Sequence, residues 1–93
     1  MHFQALARSA DEAKQALEAA RVKLELTARR FAERPGARAR RELQRRAEEF
    51  AAAQRTLEDA VREWARALQT HERARALQTQ ERRLAVVPVF ADG

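Results

Sequence analysis

The chain has 93 residues, 35% of them charged, a formal net charge of +5 and no cysteine. That length allows one small domain at most, and the missing cysteines exclude disulfides and thiolate metal sites. Roughly a quarter of the residues are Ala, Gly and Pro occur twice each, and four Phe with one Trp are the only aromatics. Such a composition favours long helices over a thick core. A lone hairpin of this size is marginal, so self-association or a partner is expected on stability grounds.

The N-terminal stretch from Met1 to Arg8 has no apolar run of signal-peptide length. No stretch approaches the roughly 20 apolar residues that span a bilayer. A cytoplasmic protein without membrane contact is expected.

In the first helix, Phe3, Ala10, Leu17, Leu24 and Phe31 recur every seven residues, with Leu6, Ala13, Ala20 and Thr27 between them. This alternation of three and four is a heptad seam. It predicts a helix over about 3–33, although Ser9 and Glu12 form a capping-box pair that offers a later start. Ala19, Val22 and Leu26 lie on the opposite face as a weaker apolar patch.

Arg34, Pro35 and Gly36 form the turn, because proline lacks the amide donor and clashes with the preceding turn. The charge collects around this break. Residues 29–46 hold eight arginines against two glutamates, whereas 1–28 and 47–83 are each balanced in acids and bases.

The second helix is expected over about 37–84. Its seam reads Leu43, Ala47, Phe50, Gln54, Leu57, Val61, Trp64, Leu68 and His71. Ala53, Ala60, Ala67 and Ala74 run beside it at a spacing of seven and would let a further helix approach closely. The short turn predicts an all-α fold, an antiparallel two-helix coiled-coil hairpin that dimerises into a helical bundle. Paired residue numbers that sum to 74 match large side chains well, placing Phe31 by Leu43, Leu24 by Phe50 and Leu17 by Leu57, with a register one heptad shorter, summing to 67, as the runner-up. In the favoured register the first helix runs out opposite His71. Residues 72–84 then project, and Leu77 and Leu84 need cover from a second protomer or another protein.

The overhang carries an internal repeat: residues 65–73 and 74–82 differ only at His71 versus Gln80. Nine residues are about two and a half helical turns, so Leu68 and Leu77 point to opposite sides. Beyond it the composition changes. Residues 85–93 hold Val86, Val87, Val89 and Phe90 around Pro88, and proline pushes its predecessor toward extended backbone. An extended apolar tail is expected, either covering the bundle end or docking on a partner.

Catalytic chemistry is not indicated. Ser9 is the only serine, the two histidines are far apart, and no Glu-x-x-His motif occurs. No catalytic, cofactor-binding or metal-binding residues are assigned. Two groups stand out for interaction instead. Arg34, Arg38, Arg41 and Arg45 are candidates for an anionic partner, and cations there oppose the dipole of the second helix. Leu68, Leu77, Leu84, Val87 and Phe90 are candidates for a protein interface. A noncatalytic, self-associating adaptor, chaperone or assembly subunit is the leading expectation. A nonspecific nucleic-acid-binding bundle using the Arg-rich tip is the alternative.

Overall fold

A computed structural model describes the backbone of residues 2–92 and the side chains of residues 3–83. Two helices, α1 (His2–Glu33) and α2 (Ala37–Asp92), make up the chain, with no strand among the described residues. They pack against each other along the length of α1. The result is a rod with Cα extents of 86 × 16 × 15 Å. Its radius of gyration is 24.2 Å, against about 12 Å for a compact domain of this length.

The turn is short because each helix closes at it without side-chain help. The Arg34 amide donates to the Arg30 carbonyl at 2.9 Å, completing α1. The Gly36 carbonyl then accepts the Arg40 amide at 2.9 Å, opening α2. Gly36 therefore occupies the N-cap position, yet its φ is not positive, and a Cβ added there would meet nothing within 4 Å. Any small polar residue would fit. At the other end of α1, Ser9 lies inside the helix, so its capping box goes unused. The helix starts earlier because Phe3 has a partner: its ring meets His71 edge-on, with centroids 5.0 Å apart and planes at 85°. Those two residue numbers sum to 74.

The core is narrow. Ala13 and Ala60 are buried at 7% and 8% exposure, Thr27 at 6%, and among the described residues no large side chain is fully buried. Phe3, Leu6, Leu17, Leu24 and Phe31 of α1, with Leu43, Phe50 and Leu57 of α2, are half-buried. Small residues thus mark the line of closest approach, and the large ones flank it. The Thr27 hydroxyl satisfies itself by donating to the Lys23 carbonyl at 2.8 Å, which is why a polar residue sits there without a tertiary partner.

The flank of α2 that faces α1 is not the expected one. Arg46, Ala53, Ala60 and Ala67 turn toward α1, while Ala47, Gln54, Val61 and Leu68 are exposed. Residues three after and four after each large seam position (Leu43, Phe50, Leu57, Trp64) are both helical neighbours, and apolar volume favours the second set. Close approach favours the first, because alanines let the two backbones come together. The alanine stripe is taken by α1, and the Val61 side is left outward. Trp64, expected in the core, is 39% exposed for the same reason.

Past His71, every side chain of residues 72–83 is exposed. The bounds of α2 run on to Asp92, beyond Leu84 where extended backbone was expected. A single proline removes one amide donor and disfavours helix locally without forbidding it. That local preference does not end the helix. The side chains of 84–93, and with them the interface roles expected of Leu84, Val87 and Phe90, lie outside the described residues.

Candidate interaction surfaces

Three surfaces follow from this arrangement. The first is at the turn. Arg38, Arg41 and Arg45 recur at three and four residues on α2, which brings them onto one outer ridge. Together with Glu42 they line a shallow hollow. Glu42 lies 4.0 Å from Arg45, at the limit of an ion pair. Arg34 is not part of this ridge: it lines a separate hollow with Arg30, Glu33 and Ala39. The four arginines that the sequence groups together are therefore divided three and one.

Arg46, next to the ridge, was missed by sequence reasoning. It turns inward on the line of closest approach, with its side chain 24% exposed. Its terminal nitrogen donates to Glu49 at 3.0 Å, while its Nε is buried without a partner. The signal was present in the spacing, since Arg46 stands seven residues before Ala53 in the alanine stripe. Arginine is simply not a residue one assigns to a core.

The second surface is apolar. Leu17, Phe50 and Leu57 line an open hollow between the helices, rimmed by Asp11, Lys14, Glu18 and Arg21. Farther along α2, Val61, Trp64 and Leu68 are exposed at 46%, 39% and 37%. They extend the line set by Phe50 and Leu57, recurring at three and four residues. The rim on α1 is held by an ion cluster: Arg21 pairs with Glu18 and, at 2.5 Å, with Glu25. The hydrogen bond from Arg21 holds the Glu18 carboxyl below the usual carboxylate range. Glu18 and Glu25 in turn push the Arg21 guanidinium up. A half-covered apolar centre with a charged rim is the anatomy of a protein interface. Val22 and Leu26, at 42% and 46% exposure, form a smaller patch elsewhere on α1.

The third surface is the overhang. Leu77 is 60% exposed, the most open of the large apolar side chains among the described residues. The remaining charged pairs on α2 are local: Arg62 lies 3.8 Å from Glu58 and 3.7 Å from Asp59. Exposed pairs of that kind contribute a few tenths of a kcal/mol to the helix and organise no chemistry.

Among the described residues, no group of three or more His, Cys, Asp or Glu is placed to hold a metal ion. None of the described helices is long and apolar enough to cross a membrane. No family model matches the chain, and no curated protein or solved structure matches it.

Proposed function

We propose that the chain is a noncatalytic interaction protein of the cytoplasm. In this reading the hairpin is an antiparallel coiled coil that self-associates as a homodimer, forming a helical bundle. It acts as an adaptor, chaperone or assembly subunit. A second protomer covers the Phe50, Leu57, Val61, Trp64 and Leu68 side of the hairpin. Another protein is the next source of cover for Leu77 and the C-terminal segment.

The observation that carries this reading is surface area. The chain exposes 8088 Å², whereas a compact monomer of its mass exposes roughly 5,500 Å². The excess is on the order of 2,600 Å² per chain, about 5,200 Å² for a pair, at the upper end of the total area that obligate homodimers bury. The absence of any fully buried large side chain among the described residues points the same way. Half-buried Phe and Leu side chains gain about 25 cal/mol for each further Å² removed from water. A side-by-side copy supplies that cover along the rod.

The test is solution mass by light scattering. The expected result is a particle of twice the 10.6 kDa chain mass, and Val61→Glu with Leu68→Glu shifts it toward a single chain. A folded wild-type protein that stays monomeric at high micromolar concentration overturns the reading.

A further inference from the structure

We propose that the turn end of the rod is a docking site for the phosphate backbone of double-stranded nucleic acid, with Arg38, Arg41 and Arg45 as its contact residues. This inference does not rest on self-association.

Charge is the first part of the argument. The segment 29–46 carries a surplus of six positive charges, while the chain on either side of it, through Arg83, is neutral. Elsewhere acids and bases are equal in number, and some pair, as at Arg21 and Arg62. Among the described residues, no carboxylate lies within 4.0 Å of Arg38 or Arg41, and Arg45 reaches Glu42 only at that limit. The surplus is thus open to an outside partner. It also acts against the hairpin, since Arg38 in the first turn of α2 opposes its dipole. A polyanion relieves both the mutual repulsion and the dipole conflict.

Shape and surroundings select the kind of polyanion. From Arg38 to Arg45 the ridge rises about 10 Å along one helix face, a linear array suited to a linear run of charges. Guanidinium groups grip phosphate oxygens in a fixed fork, which makes them well suited to backbone contacts. Protein contacts are centred on apolar or aromatic anchors as well as on arginine. Among the described residues, the exposed large apolar side chains are Val22, Leu26, Val61, Trp64, Leu68 and Leu77, and none lines the hollow of the ridge. Stable seating on a lipid surface adds buried apolar or aromatic side chains to basic charge. Bases of a single strand stack on aromatics, and Phe31, the nearest aromatic to the turn, is half-buried in the seam. What is left is the outside of a duplex.

The ridge matches no recognised base-reading motif. Contacts stay on the phosphates, and binding is independent of sequence.

Fluorescence anisotropy with a labelled 20-base-pair duplex tests the proposal. Three phosphate contacts predict a slope of log K against log salt of about −2.7, a loss of roughly 40-fold in affinity between 50 and 200 mM salt. Duplexes of unrelated sequence bind alike. Arg38→Gln with Arg41→Gln and Arg45→Gln abolishes the salt-dependent binding, with helicity by circular dichroism unchanged. Removing equal charge far from the turn (Arg66→Gln, Arg73→Gln, Arg75→Gln) leaves most of it. Glu42→Gln tightens binding, and Arg34→Gln, in its separate hollow, weakens it less than any ridge substitution. The proposal is overturned by a salt-insensitive or absent interaction, or by one that the distant triple variant loses equally. Tighter binding to poly-glutamate or to anionic phosphatidylserine vesicles than to the duplex, at matched charge, overturns it as well.

Discussion

The paired section of the hairpin and the overhang beyond it are built from nearly the same residues, yet they hold their helical form for different reasons. Within residues 3–71, Ala13, Thr27 and Ala60 are sealed between two helices. In residues 72–83 every side chain faces outward, and only local bonds are made, such as the Thr79 hydroxyl donating to the Arg75 carbonyl at 3.0 Å. Residues 65–73 and 74–82 carry almost one sequence across this boundary. The first copy keeps only a foothold, with Ala67 half-buried and His71 edge-on to Phe3, and the second copy is bare. Propensity makes both copies helical, but tertiary packing supplies most helical stability in water. Composition alone does not separate a packed helix from an unpacked one.

The largest expected effect separates the two sections directly. Ala60→Glu places a carboxylate at the line of closest approach and is expected to cost about 2–3 kcal/mol in a thermal or urea melt, by crowding and desolvation. Ala76→Glu, the same change in the overhang, stays within about 0.5 kcal/mol. Intrinsic propensity cancels between them, so equal costs would break the comparison.

Arg46 sharpens it next. In the paired section its Nε is buried without a partner, and Arg46→Leu is expected to stabilise the hairpin by about 1 kcal/mol, read as a raised melting temperature. Destabilisation would mean that the Glu49 pair outweighs the unsatisfied nitrogen.

The smallest effect lies at the turn that starts the pairing. Gly36→Asp supplies an N-cap oxygen and an anion at the positive end of α2 where space is open. A gain of about 0.5–1 kcal/mol is expected from the cap and the stiffer unfolded chain. It appears in the paired section alone: amide hydrogen exchange of 72–83 is unchanged.

The basic ridge is legible in the residue order, because Arg38, Arg41 and Arg45 share a face by spacing alone. That Arg34 stands apart is not, since it belongs to the turn, whose direction no periodicity sets. The exposed Leu68 and Leu77 are legible as candidates because the length mismatch of the two helices is written in the position of Pro35 and Gly36. The inward Arg46 escapes because a charged residue on a seam contradicts the rule used to find seams.

Two helices, a break at residues 34–36, the large residues Leu43, Phe50 and Leu57 on the contact side, and a charge surplus confined to the turn all come from the amino-acid order alone. They follow from local propensity, helical period and proline chemistry, which act over a few residues. Which flank of α2 meets α1 is settled only in three dimensions. Arg46, Ala53, Ala60 and Ala67 take that place over Ala47, Gln54, Val61 and Leu68 because the separation of two helix axes depends on both surfaces at once. Small side chains allow the backbones to close, and the larger Val61, Trp64 and Leu68 are left facing out.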